Sequence, residues 1–241
     1  MKMMFHKTMG LAICLIICFT ANVCMGAAWK SEKIGAGTKG NVKFEKDANQ
    51  MNGEAITVTA VTGDIWDAAD TAMYVYKEIS GDMEISARVT EHKPANPGWG
   101  KAGLMIRQSI DADSANAFLN LTEENGLKLI HRDTQGGATV PGDGGADYDL
   151  PIYFRLTREG DTITAFTSKD GKSWTEAGGG LGPSVDIAMK GKVVAGFALS
   201  SNDGAEAEVV FDMVDGTGDF ALPVDPLGKL ATTWAGIKTK Y

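Results

Sequence analysis

Three short runs of alternating apolar and polar residues, 72–78, 83–90 and 101–107, constrain this chain more than any other feature. In the middle run Met83, Ile85, Ala87 and Val89 fall on one side, and Glu84, Ser86 and Arg88 on the other. A period of two fits a strand that buries one face against a core. Ser80-Gly81-Asp82, between the first two runs, is a tight-turn sequence.

The same texture extends in both directions. Residues 56–61 are rich in β-branched side chains, and 42–45 reads as an edge strand in a polar, glycine-rich region. In 116–122, Ala117, Leu119 and Leu121 alternate inward, and Glu124-Asn125-Gly126 turns the chain into 127–132. Runs 152–158 and 162–168 are joined by Glu159-Gly160-Asp161, a short strand is expected around Trp174, and Asn202-Asp203-Gly204 joins 193–200 to 207–214. The 30 glycines fall mainly between runs, as turn punctuation. Strands at this spacing, without βαβ alternation or repeats, predict an all-β fold: a two-sheet antiparallel β-sandwich over residues 29–220.

Two segments stand apart. Residues 133–151 form a long loop with five glycines, four aspartates and two prolines, and loops of that length are functional or mobile. In the tail, 221–241, Pro223 and Pro226 mark a break, and Leu230, Trp234 and Ile237 have the spacing of a short amphipathic helix.

Lys2 and Lys7 precede an apolar run, 11–19, followed by Gly26, Ala27 and Ala28. The run is shorter than the roughly 20 residues that span a bilayer. Residues 1–28 are therefore expected to be a secretory signal, and the protein secreted, extracellular or periplasmic. Cys24 lacks the leucine and small-residue spacing of a lipidation site. Cys14, Cys18 and Cys24 are the three cysteines, so the mature chain has neither disulfide nor thiolate chemistry available. Loss of Lys2 and Lys7 leaves 21 basic and 31 acidic residues, a net charge of −10. Such a chain, with no basic cluster, is a poor partner for nucleic acid or an anionic membrane, whereas neutral glycans and cations suit it.

Catalytic constellations are sparse. Glycoside hydrolysis needs two carboxylates about 5–10 Å apart, yet Glu84 is alone on its strand and Glu123-Glu124 precedes a turn. Past residue 28 the histidines are His92 and His131, with no Gly-x-Ser-x-Gly elbow and no zinc spacing. Calcium, which takes several loop oxygens, is the candidate cofactor. Asp64, Asp67 and Asp70 are its expected ligands, ahead of Asp111 with Asp113 and of Asp143, Asp147 and Asp149. The competing account is that aspartate favours turns in any case. Residues 168–174 look like a sialidase-type Asp-box lacking one residue; a tight Asp-Gly hairpin packed by Trp174 accounts for them.

The motifs also carry a family resemblance. Asp64-Ile65-Trp66, Asp70, Tyr74, Tyr76, Gly81-Asp82 and Ala87-Arg88-Val89 come first, then Trp99, Lys101-Ala102-Gly103, Met105-Ile106-Arg107 and Ser114-Ala115-Asn116. Tyr153, Arg155-Leu156, Arg158, Ser168, Asp170-Gly171 and Ser173-Trp174 complete the series. In content and order, over roughly 35–215, the pattern resembles secreted bacterial concanavalin A-like domains of the regulation-of-enolase-like or LamG-type jelly-roll kind. These are often appended to modular glycoside hydrolases. The resemblance implies a concanavalin A-like jelly roll and no particular reaction.

Sugar binding needs exposed aromatic faces beside fixed donors and acceptors. With Met73 and Val75 inward, Tyr74 and Tyr76 point outward, as do Arg88, Arg107, Asn116 and Asn120. These residues are expected to line the concave face of one sheet, with Trp66 and Trp99 at its rim. The competing account buries the aromatics and pairs the arginines with Asp82 or Asp70. The expected function is a secreted, non-catalytic binding module for carbohydrate or another extracellular polymer. The alternatives are a glycoside hydrolase on the same fold, with Glu84 among its carboxylates, or a structural or adhesive module. Ligand identity and oligomeric state stay open.

Overall fold

The computed structural model describes residues 29–46, 54–142, 144–177 and 179–220. The expected signal segment, Asp143 and the expected tail helix lie outside the described residues. Fourteen strands follow in chain order: β1 (Lys30–Ile34), β2 (Lys39–Lys46), β3 (Glu54–Val61), β4 (Ala72–Ser80), β5 (Met83–Lys93), β6 (Lys101–Arg107) and β7 (Asn116–Thr122). Next come β8 (Gly126–Arg132), β9 (Ile152–Glu159), β10 (Thr162–Ser168), β11 (Thr175–Glu176), β12 (Ser184–Asp186), β13 (Lys192–Ser200) and β14 (Glu206–Gly216). Among the described residues helical structure is confined to two short 3-10 turns, Gly179–Leu181 and Gly218–Phe220.

The strands form two antiparallel sheets packed as a sandwich. The six-stranded sheet runs β1-β4-β13-β6-β7-β8, and the eight-stranded one β11-β10-β9-β5-β14-β3-β2, with β12 also on β10. The expected Ser80-Gly81-Asp82 turn does not close a hairpin within a sheet: β4 and β5 belong to opposite sheets. Alternation is nevertheless correct on both. Val75, Leu104, Leu119, Leu129 and Phe197 from one sheet meet Val58, Ile85, Phe154, Ile163 and Phe211 from the other in one buried core. The Phe197 and Phe211 rings lie 4.6 Å apart, and Trp29 contacts both Phe197 and Phe220. Two edge strands are mostly polar because little covers them: β1, which has no apolar alternation, and β12.

A second buried cluster lies on the outer face of the six-stranded sheet. Ile34, Ala72, Tyr74, Tyr76, Met105, Phe118, Ile130, Val194 and Ala198 of the sheet are covered there by Ile65 and Ala112. The connections before β4 and after β6 therefore fold back over the sheet as a partial third layer.

A register shift between Val210 and Phe211 places His92 opposite Val209. Its Nε2 is enclosed with no hydrogen-bond partner among the described residues, and burial pulls its imidazole down from 6.5 to about 4. The unfolded chain therefore takes up a proton that the folded protein refuses. Stability is full above about pH 6.5 and falls as the pH drops toward 4, by up to about 3 kcal/mol. Urea titrations at pH 7.5, 5.5 and 4.5 are expected to show that decline, with a shallower one in His92→Gln.

Candidate functional site

The centre of the outer face is held by one carboxylate. Asp70 is buried, and its Oδ1 accepts from Arg132 Nη2 at 2.6 Å. Its Oδ2 accepts from Arg132 Nη1 at 3.0 Å, from Asn116 Nδ2 at 3.3 Å and from Arg107 Nη1. Register explains the convergence: Arg107 pairs with Asn116, which pairs with Arg132, so three adjacent strands present the three groups in one row. Both arginines are 0% exposed. Two guanidiniums exceed one carboxylate, and carbonyls satisfy the remaining donors. Arg107 Nη2 donates to Asp111 O at 2.7 Å; Arg132 donates to Asp67 O at 2.9 Å and Gly137 O at 2.9 Å. Those carbonyls belong to three separate connections, which the row thereby fastens to the sheet. Asp70 N to Ala112 O and Thr139 N to Asp67 O, each 2.8 Å, join the connections to one another.

Several expected ligand-binding residues thus have other positions. Tyr74 is 0% exposed; its hydroxyl oxygen lies 3.0 Å from both Met105 O and Val194 O, either of which can accept its proton. Burial raises its phenol pKa, so it stays a neutral donor. Tyr76 stacks on it at 5.4 Å and is buried too. Alternation correctly turned both rings outward, but the connections cover them. Arg107 and Asn116 are in the buried row. Arg88 is on the other sheet, bidentate to Asp212 at 2.8 and 2.6 Å and beside Tyr153. An exposed platform of Tyr74, Tyr76, Arg88, Arg107 and Asn116 therefore does not form.

Of the expected calcium ligands, Asp64 and Asp70 have side-chain partners of their own. Asp64 takes the ammonium of Lys101 and Asp70 the two guanidiniums. No group of three or more potential His, Cys, Asp or Glu ligands comes together among the described residues. Glu84 pairs with Arg155 at 3.3 Å on the eight-stranded sheet. The Asp170-Gly171 turn is structural: Asp170 accepts from the amides of Lys172 and Ser173 at 2.8 Å, which hold its carboxyl down at about 2. Trp174 packs on Arg155 and Tyr153.

What remains open is the end of the same face. A groove of about 230 Å³ lies over β6, β7 and β8, with Lys101, Asn120, Thr122, Lys128 and Ile130 lining it from the strands. Trp66 and Trp99 also line it, 39% and 52% exposed. Asn125 and the segment Pro141, Gly142 and Gly144 complete its walls. The long glycine-rich loop is therefore a wall of the groove, pinned by reciprocal amide bonds between Ala146 and Leu127 at 2.9 Å. Gly145 allows this close approach, since a Cβ there would stand 1.9 Å from Asn125 O.

The polar groups are fixed in place. Lys101 donates to Asp64 and to Trp99 O at 3.2 Å, and lies 5.6 Å from the Trp66 ring. Burial lowers its pKa, with the nearby Lys128 charge acting in the same direction and Asp64 opposing both. Asn120 Nδ2 donates to Phe118 O and Lys128 O, both at 3.2 Å. Of the expected residues, Trp66, Trp99 and Asn120 line the groove, with Lys101, Thr122, Asn125 and Lys128, which the sequence did not single out for binding. Asn120 faces Lys128 in the β7–β8 hairpin, so the outward parity that selected Asn120 also marks Lys128. A larger cleft of about 770 Å³ lies along Asp147, Tyr148, Ile152, Ser168 and Asp170. Its aromatic residue, Tyr148, has its hydroxyl committed to Thr122 O at 3.1 Å.

No family model matches the sequence, and no curated protein matches it. Solved structures do share the fold. A functionally unknown protein from Saccharomyces cerevisiae is 16% identical with a TM-score of 0.53, the match covering 75% of this chain and 96% of that one. A xylan β-1,4-xylosidase from Bacillus halodurans is 16% identical with a TM-score of 0.46, over 66% of this chain and 32% of that one, so the likeness spans about a third of the xylosidase. A carbohydrate-binding module from Bacillus subtilis is 15% identical with a TM-score of 0.39, over 76% and 96%. At these identities the likeness concerns the fold alone.

Removing the Asp70 carboxylate strands two buried guanidiniums, a change that typically costs about 3–5 kcal/mol. Asp70→Ala is expected to lower the urea midpoint accordingly, and hydrogen exchange to show amides 62–71 and 108–115 losing protection before those of β13.

Proposed function

We propose that the protein is a non-catalytic glycan-binding module and that the groove between Trp66 and Trp99 is its binding site. The observation that carries this reading is two exposed indoles lining one groove together with polar groups already fixed by the protein. Indole faces suit the apolar faces of sugar rings, and fixed amide and ammonium groups suit their hydroxyls. Asn120 and Lys101 have little rotamer freedom left to lose, which lowers the cost of association. The volume is below the roughly 300–1,000 Å³ of drug-sized pockets. It therefore takes one sugar unit of a chain whose remainder runs out over the rim.

The geometry favours binding over hydrolysis. Among the described residues no carboxylate lines the groove, and Asp64, which accepts from the lining Lys101, is paired with it. Affinity electrophoresis against xylan, β-glucan, dextran and polygalacturonate is the direct test. Binding to at least one is expected, weakened about tenfold by Trp66→Ala or Trp99→Ala, the equivalent of about 1.4 kcal/mol per indole. Unchanged mobility with every polysaccharide, or binding indifferent to both substitutions, contradicts the assignment.

A further inference from the structure

Resting on the glycan groove, the charge within it narrows the ligand: we infer that the groove selects sugars bearing an anionic substituent, a carboxylate or a sulfate, and that Lys128 reads it. Two lysines line the groove and they are not equivalent. Lys101 is buried and neutralised by Asp64. Lys128 is half-buried and forms no ion pair among the described residues. Among the described residues, Asp64, Lys101 and Lys128 sum to one positive charge at the groove, in a chain whose formal net charge is −8.

That excess charge has a consequence for any ligand. A sugar ring laid between the two indoles covers Lys128 and strips water from its ammonium. Covering a charge is unfavourable unless the ligand returns comparable hydrogen bonds. A hydroxyl does so in part; an anionic oxygen does so fully, through shorter and stronger charge-assisted bonds. The lysine is also held in position. Asn120 Nδ2 donates to its backbone carbonyl, which fixes the strand there, and the Gly179 turn lies beside its stem, where an added Cβ would be 3.6 Å from Lys128 Cγ. The acidic remainder of the protein does not cancel this preference, because charges beyond about 8 Å are largely screened at physiological ionic strength.

The test measures affinity for polygalacturonate, dextran sulfate and uncharged dextran with the protein, Lys128→Gln and Lys128→Arg. The expected result is binding at least tenfold tighter to one anionic polymer than to dextran. Lys128→Gln should lose that difference while Lys128→Arg keeps it. Polygalacturonate as the preferred ligand identifies carboxylate, and dextran sulfate identifies sulfate. Equal or tighter binding to dextran, or an anionic preference that survives Lys128→Gln, overturns the inference and leaves the glycan groove standing. No binding to any of these or to the neutral polysaccharides above overturns both.

Discussion

The rest of the site depends on one buried carboxylate. Asp70 joins Arg107, Asn116 and Arg132 on three neighbouring strands, and the arginines in turn hold carbonyls from three connections. A buried ion pair is not a strong source of stability, since removing two charges from water nearly offsets their attraction. Its effect here is geometric. Backbone that crosses the face of a sheet must have its carbonyls satisfied, and the guanidiniums supply fixed, forked donors to do it. The chain from Asp64 to Asp70 is thereby kept on the sheet, with Trp66 at the groove rim.

The same arrangement divides the outer face into two parts. Where the connections lie, tyrosine and phenylalanine are sealed as a second apolar layer. Where they end, the strands carry Lys101, Asn120 and Lys128 rather than apolar residues, and the face remains open. A sheet normally needs only one buried face; here most of both faces of the six-stranded sheet are covered, and the exception is the groove. Rigidity and openness are adjacent because the row that fastens the cover lies on the same three strands that floor the groove.

Much of this was legible in the sequence and part was not. Period-two patterning located the strands that carry the core, since burial of one face imposes it directly. It failed for β1 and β12, whose edge positions impose no such pattern. The outward direction of Tyr74, Tyr76, Arg107, Asn116 and Asn120 was correct for the same reason. The assumption that outward means exposed was not. Arg88 shows a different limit: adjacent runs joined by a tight turn look like neighbours, yet β4 and β5 lie in different sheets. The rim tryptophans were found because large aromatics in turn-rich connections have few structural reasons to be there.

The sequence by itself determined an all-β chain, the inward face of nearly every long strand, and the two indoles flanking the central unit. These follow from local geometry: a strand's side chains alternate whatever its partners are. Only the tertiary structure decided which outward residues are sealed and which are open, and that Asp70 holds both Arg107 and Arg132. Each of those depends on where a distant connection comes to rest, and that is set by ion pairs and hydrogen bonds between residues tens of positions apart. No local period records such contacts.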